Sequence, residues 1–183
     1  MKTLVRLSIS TDMPQVLRLI KELAVFEKEP NAVKITVDTL IKEGFGKNPL
    51  FTCFVAEVEE EIIGMALVYD RFSTWKGRSI HLEDLVVNSD LRGRGIGKAL
   101  YSEVIKYAVK RNVKRLEWVV LDWNKNAIDF YETTFGEKLI KNELTTRRIL
   151  KSELGKAEAK KIFNQLKYFK PNRLKVYQKI MSF

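Results

Sequence analysis

The segment Arg92-Gly93-Arg94-Gly95-Ile96-Gly97-Lys98 decides how this chain folds and what it can hold. It follows His81-Leu82-Glu83-Asp84-Leu85-Val86-Val87, the end of a strand expected over 79–87, and opens a helix expected to run to about residue 111. Glycine lets the backbone turn and lets a ligand approach its amide groups closely. Free N–H groups at a helix start, with the positive end of the helix dipole, attract anions. Arg92, Arg94 and Lys98 add positive charge at the same place. Together these properties describe a pyrophosphate cradle. A glycine-rich turn that merely caps a helix is the plainer reading, and the three cations weigh against it. Other phosphate motifs fail in detail. A P-loop needs Ser or Thr after Gly-Lys, and Gly97-Lys98 is followed by Ala99. A dinucleotide fingerprint needs G-x-G-x-x-G, and Gly93-x-Gly95 continues to Lys98.

Outward from this turn, strands and helices alternate irregularly. Residues 4–9 read as a strand, and Thr11 or Asp12 can cap a helix with Pro14 in its first turn. Val16, Leu17, Leu19, Ile20, Leu23 and Ala24 give that helix one apolar face. A second helix is expected over 36–45, and strands over 51–57 and 61–69 joined by the acidic turn Glu59-Glu60-Glu61. Beyond the glycine turn come a short buried strand (116–121), a helix (124–134) and a hairpin (137–149). The expected class is α/β, with a central, mostly antiparallel mixed sheet flanked by helices. Residues 1–150 make the domain and 151–183 a basic extension.

Composition bounds the chemistry. Hydrophobic residues at 45% and charged residues at 31% suit one soluble core. No apolar run approaches the roughly 20 residues of a membrane span, so no membrane partner is expected. The start, Met1-Lys2-Thr3-Leu4-Val5-Arg6 with Asp12 and Pro14 close behind, lacks a signal-peptide core, and a cytoplasmic location is expected. The single cysteine, Cys53, sits in the apolar run Phe51-Thr52-Cys53-Phe54-Val55 and reads as a small buried residue. It cannot form an internal disulfide or a cysteine-cluster metal site, and no metal is expected. Net charge is +10, yet seven cations and no acid lie in 160–183, and without them the excess is +3. Phe163, Tyr168, Phe169 and Tyr177 interleave with those cations. Such a mixture can bind single-stranded nucleic acid. An amphipathic segment packed on the domain or a partner subunit is the preferred reading.

Two segments give the chain a resemblance. Arg92, Gly95 and Gly97 match Arg/Gln-x-x-Gly-x-Gly/Ala, the acetyl-CoA motif of the GNAT acetyltransferases. Asn124-Lys125-Asn126-Ala127-Ile128-Asp129-Phe130-Tyr131, followed by Phe135-Gly136, resembles the family's Asn-x-x-Ala-x-x-x-Tyr helix. The resemblance covers about 4–149 and implies the GNAT fold. It places acetyl-CoA, as co-substrate, against Leu85, Val86, Val87, Arg92, Gly93, Arg94, Gly95, Ile96, Gly97, Lys98, Asn124, Ala127, Phe130 and Tyr131. It also suggests a homodimer. Leu19-Ile20-Lys21-Glu22-Leu23-Ala24, Gly44-Phe45-Gly46, Phe54-Val55-Ala56-Glu57 and Leu82-Glu83-Asp84 are similar to segments of the spermidine/spermine (diamine) acetyltransferase group. Two departures concern the polyamine grip. Ser73 stands where that group has an aspartate before the loop tryptophan, here Trp75, and Thr145-Thr146 stand near its hairpin tryptophan.

The implied reaction acetylates a primary amine of a small molecule. An alkyl ammonium has a pKa near 10 and must lose a proton before it attacks a thioester. Glu83 matches the family's general base, acting through water, and a strand-end ion pair is its plainer reading. In a regular strand Asp84 points to the other face, while His81 shares the face of Glu83. His81 is thereby placed for a proton relay, although a partly exposed polar residue is the preferred reading. Tyr131 matches the family's general acid for the departing thiolate; packing beside Phe130 is the alternative. A backbone N–H near Leu85 is the expected donor to the carbonyl oxygen. Asn124 either holds the pantetheine arm or caps its helix. Glu27, Trp75, Glu83 and Asp84 are the expected amine-binding residues, with Glu29 a further local acid. Two rival readings stand beside this one: a protein or peptide acetyltransferase with an open groove, and an acyl-CoA-binding regulator without turnover.

Overall fold

A computed structural model describes residues 3–135 and 174–180. The chain packs as two compact units, 1–117 with 179–183, and 118–178. The first unit holds β1 (Leu4–Leu7), α1 (Met13–Phe26), α2 (Val37–Phe45), β2 (Thr52–Val58), β3 (Glu61–Ser73), β4 (Gly77–Val87) and α3 (Ile96–Lys110). β5 (Arg115–Leu121) begins in it and ends in the second unit, which carries α4 (Lys125–Phe135). A last strand, β6, spans Leu174–Ile180 inside the C-terminal extension. The expected hairpin over 137–149, with Thr145 and Thr146, lies outside the described residues, as does most of the basic tail.

β1 to β4 pair as consecutive antiparallel neighbours, with Leu4 opposite Glu57, Cys53 opposite Leu67 and Met65 opposite Val86. Both faces of this sheet are covered. Cys53 and Val55 join a core with Met13, Val16, Leu19 and Leu40 of the first two helices. Phe54, one residue out of phase, meets Tyr107 of α3 edge-on with ring centroids 5.6 Å apart. This is the period-two alternation of a strand buried on both sides. The β2–β3 turn uses Glu59 and Glu60 at φ 50° and 66°, the left-handed pair of a tight hairpin whose twist matches its strands.

Two features differ from expectation, and one between them agrees. Asp12 does not cap α1 through its side chain. Its carboxylate instead accepts the Ile9 N–H at 2.8 Å and pairs with Arg6 at 2.7 Å, fixing the turn that leads into the helix. Thr36 does cap α2, accepting the Thr39 N–H at 3.1 Å. The β3–β4 hairpin is longer than its apolar content suggested, because both strands continue past Tyr69 into solvent, where no core pattern marks them.

Candidate active site

The glycine turn between β4 and α3 is built as its sequence requires. Gly93 and Gly95 lie at φ 75° and 81°, where any other residue is strained, and Gly95 is the residue that starts α3. A side chain at either position would enter open space, with no atom within 4 Å. The backbone itself is therefore the exposed surface there. The first helical hydrogen bond runs from the Ala99 N–H to the Gly95 carbonyl at 3.0 Å. The N–H groups of Ile96, Gly97 and Lys98 thus precede the ladder and are available to an anion. Arg92, Arg94 and Lys98 are exposed around them, and the first turn of α3 carries no acid. Arg92 is steadied by donating to the Val87 carbonyl at 3.1 Å and by lying 5.4 Å over the Phe26 ring. These residues fit a pyrophosphate such as that of coenzyme A. Beside them a cleft of about 770 Å³ runs along α1, lined by Arg18, Lys21, Phe26, Asn88, Ser89 and Arg92 among others.

β4 is not the regular strand that alternation assumes. Leu67 pairs with Asp84 and Val68 with Leu82, so Glu83 is an extra residue, bulged and without a partner across the ladder. A bulge breaks the pleat and re-aims the side chains beside it. Glu83 is exposed, and Asp84 is half-buried. Burial, then the Glu83 and Glu27 carboxylates, push the Asp84 carboxyl up to about 7, with His81 acting against them. Burial also raises Glu27, in the residue that ends α1. Asp84 is thus the acid on which both Glu83 and Glu27 act, while Glu29 is exposed. Leu85, Val86 and Val87 continue β4 toward the glycine turn.

Trp75 lies apart from that acid group in placement: it is 87% exposed in the β3–β4 turn. Ser73 organises the turn, its hydroxyl accepting the Trp75 and Lys76 N–H groups at 3.3 and 3.1 Å. His81 is corrected from a partly exposed residue to a buried one, at 7% exposure. It lies beneath Tyr69, ring centroids 5.1 Å apart, because the hairpin folds that ring over it.

In the second unit Asn124 caps α4, accepting the Ala127 N–H at 3.1 Å, which supports the capping role. Tyr131 is buried, its ring 4.7 Å from that of Trp118 and meeting Phe130 edge-on at 5.1 Å. The aromatic packing foreseen for Tyr131 is present.

Residues 16–136 match the Acetyltransferase (GNAT) family. The chain belongs to the GNAT acetyltransferases. It is 39% identical over 140 residues to the thialysine N-epsilon-acetyltransferase of Bos taurus, covering 72% of this chain and 82% of that one. It is 35% identical over 127 residues to the human (Homo sapiens) spermidine/spermine N(1)-acetyltransferase-like protein 1, covering 66% of this chain and 18% of that much longer one. Its fold is similar to that of the PaiA N-acetyltransferase of Thermoplasma acidophilum in complex with coenzyme A, with a TM-score of 0.59, 17% identity, and 78% and 94% of the two chains covered. The α/β sheet flanked by helices is thus the GNAT fold, and the protein is an acetyltransferase.

Sequence reading of this GNAT acetyltransferase missed a buried ion cluster. Glu117, 3% exposed on β5, contacts Arg71 of β3 and lies 3.1 Å from Arg115 Nε. Burial alone would raise its carboxyl, but His81, with Nδ1 3.8 Å away, and the charges of Arg115 and Arg71 hold it below the usual range. A signal existed: Glu117 is the one carboxylate inside the apolar run 116–121, and a buried acid requires partners. Tyr69 was missed as well. Its phenol is raised by burial and then by the nearby Glu83 carboxylate.

Proposed function

We propose that this GNAT acetyltransferase uses acetyl-CoA to acetylate the primary amine of a small diamine or lysine-like substrate. The observation that carries the reading is the bulge that sets Glu83 beside half-buried Asp84 on the strand leading to the cationic glycine turn, with Glu27 also acting on Asp84. A carboxyl raised by burial and by neighbouring carboxylates is relieved when an ammonium joins it. The relative in Bos taurus, named for the ε-nitrogen of thialysine, agrees in substrate size and charge.

Acetyl-CoA supplies an acetyl group activated as a thioester. Arg92, Arg94, Lys98 and the N–H groups of Ile96, Gly97 and Lys98 hold its pyrophosphate. Asp84 and Glu27 hold the ammonium end of the acceptor. Glu83, exposed at its bulge, draws off the ammonium proton through a water molecule, since only the neutral amine has a lone pair to offer. The Leu85 N–H, just past the bulge, donates to the carbonyl oxygen on which charge grows. Tyr131 keeps a proton on its phenol oxygen for the leaving sulfur, the role that the family motif implies. A homodimer completes this reading and rests on the family resemblance alone.

Thiol release from acetyl-CoA in the presence of an amine panel and a lysine-bearing peptide tests the reading. Turnover with small amines and little with the peptide is expected. Binding of acetyl-CoA with no turnover on any acceptor would overturn it.

A further inference from the structure

The cleft along α1 continues the glycine turn on its outer side. Two neighbouring rows of the helix line it: Leu17, Lys21 and Val25 form one, and Arg18, Glu22 and Phe26 the other. Asn88 and Ser89 make the opposite wall. Arg92 belongs to the cradle and to the cleft alike, and closes the near end 5.4 Å over the Phe26 ring. We propose that this cleft takes the 3′-phosphoadenosine end of acetyl-CoA and that Lys21 selects the 3′-phosphate. The inference rests on acetyl-CoA being the co-substrate held at the glycine turn, and adds where its nucleoside end lies and what recognises it.

Coenzyme A runs from its thiol through the pantetheine arm and the pyrophosphate to the nucleoside. With the pyrophosphate at the turn and the thioester facing Glu83 and Asp84, the nucleoside must lead away from those acids. The cleft leads the same way. Glu27, at the C-terminal end of α1, acts on Asp84. Arg18, two turns earlier, donates instead to the Ile62 carbonyl at 3.0 Å, beyond the pair of Gly64 with Val87 that ends β4. At 1.5 Å per residue, Lys21 stands about 8 Å and Arg18 about 12 Å along the helix from Phe26.

Charge and surface suit that occupant. Three cations, Arg18, Lys21 and Arg92, line the cleft against one acid, Glu22. Two of the three are engaged: Arg18 pairs with Glu61 at 3.0 Å, and Arg92 donates to the Val87 carbonyl at 3.1 Å. Lys21 has no such partner among the described residues, so its ammonium is the one available to a new anion. A phosphate monoester carries about −1.5 to −2 charges at pH 7 and offers three strong acceptor oxygens. Val25 is 62% exposed, and with Phe26 it presents apolar surface to a purine. A volume of about 770 Å³ is that of a small-molecule site. Asp90, the other nearby acid, lies outside the lining and accepts the Ser89 hydroxyl at 3.1 Å.

The test is calorimetry with coenzyme A and with 3′-dephospho-coenzyme A on the wild-type protein, Lys21→Gln and Glu22→Gln. The wild type is expected to bind coenzyme A about tenfold more tightly than the dephospho form, the scale of one charged phosphate contact. Lys21→Gln is expected to remove most of that preference by weakening coenzyme A alone. Glu22→Gln is expected to enlarge it, because an opposing carboxylate is gone. A wild type without preference overturns the proposal, and so does a Lys21→Gln protein that keeps the full preference or loses affinity for both ligands equally. The co-substrate reading fails separately, if neither ligand binds the wild type. If Gly95→Glu abolishes binding of both ligands while Lys21→Gln changes neither, the cradle stands and only the cleft assignment fails.

Discussion

At Asp84, burial and the Glu83 and Glu27 carboxylates raise the pKa to about 7. The unfolded chain releases the same proton near pH 4, so between about 4 and 7 the folded state holds the extra proton. Stability contributed by this group is therefore lost as pH rises through that window and fully lost above it. Asp84→Asn should raise stability at pH 8 by on the order of 1–2 kcal/mol, a few degrees in Tm, with the gain fading toward pH 4. The same variant should lower kcat/KM for the amine, since it removes a carboxylate from the acid group. Thermal melts at both pH values check the first part; a gain that persists unchanged at pH 4 would contradict it. Tyr131 provides a second residue-level test. Its ring packs on Trp118 whatever its chemistry, so only the hydroxyl separates packing from catalysis. Tyr131→Phe should lower kcat by about tenfold or more and leave acetyl-CoA affinity nearly unchanged, the pattern of a transition-state role. An unchanged single-turnover rate would return Tyr131 to packing alone.

Two backbone irregularities do the positioning at the level of elements. The bulge at Glu83 sets a carboxylate into solvent within β4, directly after its fully buried stretch 79–82. The glycine turn sets bare peptide against the start of α3. The second was legible in the sequence, because glycines between a strand and a helix have few other uses. The first was not: Leu82-Glu83-Asp84-Leu85 alternates no differently from a regular strand, and the extra residue appears only in the register with β3. Gly95→Glu should abolish acetyl-CoA binding by calorimetry, because its side chain and charge would enter the space the phosphates need. The fold should survive at a cost of about 1 kcal/mol, since no protein atom is displaced and only the left-handed φ of 81° is penalised. A folded variant with unchanged affinity would exclude this turn as the cradle.

Over the whole molecule the charge is +10, and long-range repulsion opposes the approach of a polycation. Repulsion grows with substrate charge, whereas the local acids Glu27, Glu83 and Asp84 need only one ammonium. Ser73 is engaged in shaping its turn, so it does not replace a carboxylate for a distal amine. Putrescine or a lysine analogue should therefore exceed spermine in kcat/KM at fixed ionic strength, with the gap narrowing as salt screens the repulsion. A tenfold preference for spermine would point to a gripping residue not recognised here. The sequence by itself determined the order of strands and helices from β1 to α4, the cationic glycine turn, the family motifs and the identities of the acids, but not the strand β6. Each of these depends on neighbours along the chain: periodicity, turn residues and local charge. Tertiary structure alone decided that Glu83 is bulged, that His81 is buried and that Glu117 of β5 lies beside Arg71 of β3. Those facts depend on strand register and on which side chains share one buried space, and residues 46 positions apart, as Arg71 and Glu117 are, carry no local pattern that reveals it.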